Sequence, residues 1–136
     1  MHADIFLDTN ILLYAASRSK SEQRKRAKAR ELLTLDHVGL SVQVLAEFYV
    51  NATAKLKVPE ELVTRVLESL ENYQILPLTE AVFWAALAIK KRHQISYWDG
   101  AIIAAAAELG CHTVYSEDLN HGQTYNGVRV INPFLE

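Results

Sequence analysis

Ile5-Phe6-Leu7-Asp8-Thr9-Asn10, followed by Ile11-Leu12-Leu13-Tyr14, decides how this chain is read. The first three residues form a short apolar run that reads as a buried strand, and it stops on a carboxylate. The apolar pattern then resumes at a spacing that suits a helix. In a parallel sheet, ligands collect in the crevice beyond the carboxyl ends of the strands, and Asp8 would stand there. A plainer role competes with this. Asp8, Thr9 or Asn10 can cap the helix by accepting from an orphan backbone N–H. The rest of the chain has to weigh the two.

Charge crowds into residues 17–31. Arg18, Lys20, Arg24, Lys25, Arg26, Lys28 and Arg30 form a basic block there. Ala27, Leu32 and Leu33 suggest a helix that starts near Ser19 or Ser21 and docks only its end. Val38-Gly39-Leu40 reads as a second strand, and Ser41 can cap the helix after it. Within 42–55, Val44, Leu45, Phe48 and Ala52 share one helical face, with Glu47 at its border. Lys57-Val58-Pro59 breaks that helix. Pro59 suits the first position of the next, 60–71, whose early acids favour the positive end of the helix dipole. Leu62, Val66 and Leu70 recur in it at a spacing of four. Gln74-Ile75-Leu76 is a third strand, closed by Pro77. Thr79-Glu80 opens a helix with Phe83, Ala86, Leu87 and Ile89 inward. It ends in Lys90-Lys91-Arg92-His93, basic residues suited to a helix C-terminus. Ser96-Tyr97-Trp98-Asp99 starts an alanine-rich helix, apolar nearly all round and therefore buried, which stops at Leu109-Gly110. Thr113-Val114-Tyr115 is a fourth strand, 120–127 a polar loop, and Val128-Arg129-Val130-Ile131 a last strand.

A length of 136 residues fits a single domain, 1–136. A chain of that size buries roughly two-thirds of its unfolded surface and needs no staples. The one cysteine, Cys111, excludes an intramolecular disulfide framework and fits a reducing compartment. No basic segment precedes the first apolar run, and that run is too short for a signal peptide. The small-residue run 101–107 is too short to span a bilayer. The expectation is a cytoplasmic protein with no membrane partner. A formal net charge of −2 gives no overall argument for a nucleic-acid partner, so only the local basic block speaks to one.

Short strands alternating with helices predict an α/β fold, a three-layer α/β/α sandwich with a mostly parallel central sheet. Right-handed crossovers run each helix antiparallel to its strands. Helix N-termini and strand C-termini then share one edge. Four acids belong to that edge. Asp8 ends strand one, and Glu47 lies in the second turn of the helix after strand two. Asp99 lies in the first turn of the helix before strand four, and Asp118 just beyond that strand. Each has an ordinary role available: a cap-like pairing of Ser96 with Asp99, a solvated helix acid at Glu47, a turn residue at Asp118. None of these roles requires four carboxylates at one crevice. Converging anions raise one another's pKa values, and a divalent cation relieves this. An oxygen-only donor set suits Mg²⁺ or Mn²⁺ and disfavours zinc. An open Mg²⁺ site can activate water and stabilise charge on a phosphoryl oxygen, so phosphodiester hydrolysis is the natural chemistry.

Four segments carry a resemblance: Leu7-Asp8-Thr9-Asn10-Ile11-Leu12-Leu13-Tyr14, Glu47 within Val44-Leu45-Ala46-Glu47-Phe48, Trp98-Asp99-Gly100-Ala101-Ile102-Ile103-Ala104-Ala105-Ala106, and Ser116-Glu117-Asp118-Leu119. In this order and spacing they resemble a PIN domain, and more closely the VapC-type toxins of bacterial toxin–antitoxin systems. The resemblance implies a Mg²⁺- or Mn²⁺-dependent endoribonuclease acting on RNA, the toxin of a type II system, a homodimer, and inhibition by a cognate antitoxin. By position it implies Asp8, Glu47, Asp99 and Asp118 as the acidic quartet. Asp8, Asp99 and Asp118 would contact the metal, and Glu47 would act through its water. Thr9, Asn10 and Ser116 would hydrogen-bond around them. Ser116 stands where the family often has threonine and keeps the hydroxyl. Glu117 beside Asp118 leaves two candidates for the fourth acid.

Other residues carry two readings each. The basic block can hold RNA phosphates or form a solvated helix face. Tyr14 and Tyr97 can stack on a splayed base or pack in the core. Trp84 and Trp98 read as core or dimer surface. His121 can donate to a phosphate or sit in its loop without a role, and the remaining histidines are scattered. Competing functions remain a non-catalytic PIN-fold module binding RNA or protein, and an aspartyl-nucleophile phosphatase. The phosphatase wants an acid where Asn10 stands. A receiver-like domain wants an acidic pair after strand one and a lysine after the last strand.

Overall fold

The computed structural model describes residues 1–135, and Glu136 of the expected domain 1–136 lies outside them. Six strands and six α-helices occur among the described residues. In order they are β1 (Ile5–Leu7), α1 (Thr9–Ala16), α2 (Gln23–Leu32), β2 (Val38–Ser41), α3 (Val42–Val50), α4 (Glu60–Glu68), β3 (Gln74–Leu76), α5 (Glu80–His93), α6 (Tyr97–Glu108), β4 (Thr113–Tyr115), β5 (Thr124–Tyr125) and β6 (Val128–Ile131).

The strands form one sheet in the order β3-β2-β1-β4-β6-β5. All neighbours are parallel except β5 against β6. β1 is central, with Ile5 opposite Val38 on one side and Leu7 opposite Tyr115 on the other. Phe6 and Leu7 point to opposite faces, and both are fully buried. A strand buried on both faces needs helices on both sides, so the sheet is the middle of three layers. The buried apolar side chains form one cluster, which includes Ile11 and Leu12 of α1, Val44 and Phe48 of α3, and Ile103 of α6.

α6 is buried along 100–106, as its composition predicts. It crosses α5 so closely that a Cβ on Gly100 would fall 2.7 Å from the carbonyl oxygen of Ala86. Glycine at that position lets α6 begin, and carry Asp99, against the body of the protein.

Several elements depart from the expected pattern. The helix expected over 42–55 is regular only to Val50. Its continuation, Asn51–Lys55, widens to a π turn, with the Leu56 N–H donating to the Asn51 carbonyl at 3.0 Å. α4 ends at Glu68 rather than 71, and Pro59 stands just before it as the cap residue. Leu62 is exposed there, and Val63 takes the fully buried place. On α2 the buried residues are Ala29 and Leu32, whereas Ala27 faces solvent. Phe83 is not inward. It is 42 % exposed and rests edge-on against Trp84, with Tyr97 tilted beside it. The loop expected over 120–127 contains β5, joined to β6 by Asn126 and Gly127, both at positive φ (48° and 80°). Asn-Gly is the favoured pair for such a two-residue hairpin turn.

Candidate functional site

β1 delivers Asp8 to the carboxyl edge of the sheet, and the end of β4 fixes it there. The Asp8 backbone N–H donates to the Tyr115 carbonyl at 3.0 Å. Its side chain is only 6 % exposed. Oδ1 accepts the Thr9 backbone N–H at 2.7 Å, and Oδ2 accepts the Ser116 hydroxyl at 2.7 Å. Asp8 thus caps α1 through one oxygen and also stands at the crevice beyond the strand ends. Burial pushes the Asp8 carboxyl from 3.8 up to about 6. Hydrogen bonds from Ser116 and Thr9 work against that rise, and the charges of Asp118 and Glu47 add to it.

Two residues organise the loop after β4. Ser116 is fully buried, and its oxygen also accepts the backbone N–H of Asp118 at 3.1 Å. Asn10, in the first turn of α1, directs its amide N–H groups at Asp118 Oδ2 (3.2 Å), Ser116 Oγ (3.3 Å) and Asp8 Oδ2 (3.4 Å). Its own oxygen accepts the Glu117 N–H at 3.2 Å. Asn10 thus places a hydrogen-bond donor where an aspartyl phosphatase would need an acid.

Glu47 is half-buried on α3. Its Oε1 accepts the Thr9 hydroxyl at 3.3 Å and the Gln43 amide at 3.1 Å. Asn51, one turn further on, donates to the Glu47 carbonyl at 2.8 Å. Asp99 stands in the first turn of α6, where the Ser96 hydroxyl caps its backbone N–H at 3.0 Å. Burial raises the Asp99 carboxyl, the Ser96 hydrogen bond opposes the rise, and the charge of Asp118 reinforces it.

One cleft of about 210 Å³ is lined by Asp8, Glu47, Asp99 and Asp118 together, with Thr9, Asn10, Asn51 and Trp98 beside them. Among the described residues no lysine, arginine or histidine lines it. Four carboxylates facing one cavity without a protein cation fit a divalent cation and an oxygen-only donor set. Among the described residues no three His, Cys, Asp or Glu side chains gather tightly enough to form a metal cage by themselves. An ion held here would keep several waters, as Mg²⁺ does where it takes few direct carboxylates.

Glu117 does not face this cleft. Its carboxylate pairs with Lys25 and accepts the Tyr14 hydroxyl. Burial alone would raise its pKa, yet the bonds from Lys25 and Tyr14 outweigh burial and hold it below the usual glutamate range. Of the two neighbouring acids, Asp118 is the one at the cleft. Tyr14 itself packs edge-on against Phe134, with ring centroids 4.9 Å apart. Within the basic block, Arg26 donates to the carbonyls of Ser17 and Ser19, and Arg30 to that of Ala15. These side chains close the exit of α1, where helix carbonyls lack partners. His121 accepts the Asn132 N–H at 2.9 Å and ties the loop to the chain end. Trp84 and Trp98 are surface residues, Trp98 61 % exposed at the mouth of the cleft.

Gln43 and Asn51 were not anticipated from the sequence. Their signal is spacing: each lies four residues from Glu47, one turn before and one turn after it, on the same helical face.

The family profile of the PIN domain matches residues 5–126. No curated protein sequence matches significantly. Among solved structures, the chain is similar to VapC20 of Mycobacterium tuberculosis, described as a toxin that cleaves the sarcin–ricin loop. The TM-score is 0.70 at 19 % identity, over 93 % of this chain and 99 % of that one. It is similar to a toxin–antitoxin complex from Klebsiella pneumoniae, with TM-score 0.69 at 18 % identity over 97 % and 98 % of the two chains. It is also similar to a chain of FitAB bound to an IR36 DNA fragment, with TM-score 0.68 at 29 % identity over 97 % of each.

Proposed function

The chain belongs to the PIN-domain family, and from that premise we propose that it is a Mg²⁺- or Mn²⁺-dependent endoribonuclease, the toxin of a type II toxin–antitoxin pair. One observation carries the reading. Four carboxylates from separate parts of the chain line a single cleft with no cationic side chain among the described residues, and hydrogen bonds hold Asp8, Glu47 and Asp118 against the mutual repulsion.

Asp8, Asp99 and Asp118 would hold the ion. When bound, it supplies positive charge to the scissile phosphate and lowers the pKa of water beside it. The protein's part is orientation. Ser116 and Asn10 aim Asp8 and Asp118. Gln43 and Thr9 hold one oxygen of Glu47, and the other oxygen takes the proton of the attacking water. Burial of Asp8 raises its carboxyl to about 6, and an adjacent cation would return it to the ionised form.

The structural likeness to a toxin–antitoxin complex supports an antitoxin partner, and the reading includes a homodimer. One domain over 1–136 and a cytoplasmic setting complete the reading. No helix among the described residues is long and apolar enough to cross a membrane.

The test is cleavage mapping on total RNA, with Mg²⁺ and with EDTA, for wild type, Asp8→Asn and Asp99→Asn. Discrete cuts by the wild type in Mg²⁺ alone are expected. The same cuts from both variants would place the chemistry elsewhere.

A further inference from the structure

Glu117 sits between Ser116, which bonds Asp8, and Asp118, which lines the cleft, yet its own carboxylate is spent elsewhere. Oε2 pairs with the Lys25 ammonium of α2 at 2.5 Å, and Oε1 accepts the Tyr14 hydroxyl of α1 at 2.5 Å. Lys25 also donates to the Tyr14 hydroxyl at 3.2 Å. The same ammonium lies 4.9 Å from the Tyr14 ring centre and 5.6 Å from that of Phe134. Three segments distant in sequence thus meet on one side chain. The Glu117 N–H is held as well, by Asn10.

Asp118 is in a different condition. It is exposed, and its carboxylate takes one amide N–H from Asn10 at 3.2 Å. Its charge acts against both Asp8 and Asp99. Like charges would push this segment outward; Ser116 and Asn10 hold its backbone N–H groups, and the Glu117 side chain adds the tie to α1 and α2. A lone surface ion pair contributes little. Here the pair is partly buried, doubled by a phenol hydrogen bond and backed by two aromatic faces, which strengthens a cation's hold.

We propose that Lys25, Glu117 and Tyr14 form a latch that presents Asp118 to the cleft, so that Glu117 is a positioning residue for the ion site without touching ion or RNA. The proposal rests on the reading of Asp8, Asp99 and Asp118 as the ion's carboxylates. It also assigns part of the basic block a task other than holding phosphate.

The test is Mn²⁺ binding, followed by the electron paramagnetic resonance signal of free Mn²⁺, with circular dichroism confirming the folded state. Glu117→Gln and Lys25→Met should each weaken binding about tenfold, the lower end of the loss expected when a group that orients a ligand is removed. Lys25→Arg keeps a cation in place and should restore most of the affinity. In an Asp118→Asn background, Glu117→Gln should add nothing, because the latch acts only through Asp118. Wild-type affinity in folded Glu117→Gln, or an undiminished loss in the Asp118→Asn background, overturns the latch. Should Glu117→Gln fail to fold, Lys25→Met against Lys25→Arg decides in the same way. Wild-type affinity in Asp8→Asn and Asp99→Asn overturns the underlying ion site instead, and so separates the two failures.

Discussion

Two hollows lie side by side and share Glu47, Asn51 and Trp98. The acid cleft, about 210 Å³, is walled by four carboxylates and Thr9, Asn10 and Asn51, with Leu13, Trp98 and Ile102 completing it. Its neighbour, about 620 Å³, is walled by Leu78, Val82, Phe83 and Tyr97 among others. At the cleft, Asp8, Asn10 and Thr9 are tied together by directed hydrogen bonds, with Ser116 buried behind them. In the apolar hollow, the Phe83 and Tyr97 rings meet at 5.7 Å, and both are partly open to solvent. The first is assembled against its own electrostatics, and its hydrogen bonds hold charges where burial penalises them. The second costs the fold little and is held by little. Stability alone would favour neutral side chains in the cleft, and the proposed ion-binding role accounts for carboxylates there instead.

The comparison breaks first on activity. Asp8→Asn or Asp99→Asn should lower Mg²⁺-dependent RNA cleavage roughly a thousandfold, the upper end of the loss when one charge-stabilising group is removed from a preorganised site. Single-turnover rates on a mapped RNA fragment measure it. A loss of only a few fold would make the acid cleft no more functional than the apolar one.

The second contrast is thermodynamic and concerns the protein without metal. The Asp8 carboxyl is raised from 3.8 to about 6, first by burial, with Ser116 and Thr9 opposing and Asp118 and Glu47 assisting. Between those values the folded protein binds more protons than the unfolded chain, so stability falls as pH rises through that window and stays lower above it. A shift of about two units corresponds to about 3 kcal/mol. Asp8→Asn removes that penalty. In EDTA near pH 8 the variant should melt several degrees above the wild type, and near pH 4 the advantage should vanish. An unchanged melting temperature near pH 8 would mean that the cleft bears no charge strain.

The acid cleft was also the more legible of the two in the sequence, for a physical reason. Strand ends and helix starts are marked by local residues, and parallel topology alone brings such ends to one edge. Asp8, Glu47, Asp99 and Asp118 could therefore be placed together without knowing one contact between them. What lay beyond reach was set by long-range partners. The Lys25–Glu117 pair spans 92 positions, and nothing local marks it. Phe83 fits the inward period of α5 and still ends at the surface, since periodicity gives a face of a helix and not what covers that face. The β5–β6 hairpin was a different miss. Asn126-Gly127 announces that turn, but a two-residue strand of Thr124 and Tyr125 carries too little pattern to stand out in a polar stretch. The π turn at Asn51–Lys55 leaves no such mark.

A smaller effect sharpens how the cleft is supported from behind. Gly100→Ala places a methyl group 2.7 Å from the Ala86 carbonyl oxygen, at the crossing of α5 and α6. The helices must part, which should cost about 1–3 kcal/mol, read as a lower denaturation midpoint with an unchanged slope. Asp99 would move with its helix, so cleavage should fall as well, by far less than in Asp99→Asn. Full stability in this variant would show that the seam has room and that Gly100 is not what sets the helix approach.

The smallest effect belongs to the apolar hollow. Phe48 is fully buried, and its loss to alanine should cost about 3–5 kcal/mol. Phe83 fits the inward helical spacing that Phe48 also shows, but more than a third of it already meets water. Phe83→Ala should therefore cost about 1 kcal/mol or less, in line with an edge-on ring contact and partial burial. Urea denaturation of the two variants, side by side, measures the difference. A cost for Phe83 near that of Phe48 would mean that the hollow's rim carries the fold as the core does, and the contrast between the two hollows would then lie in polarity alone.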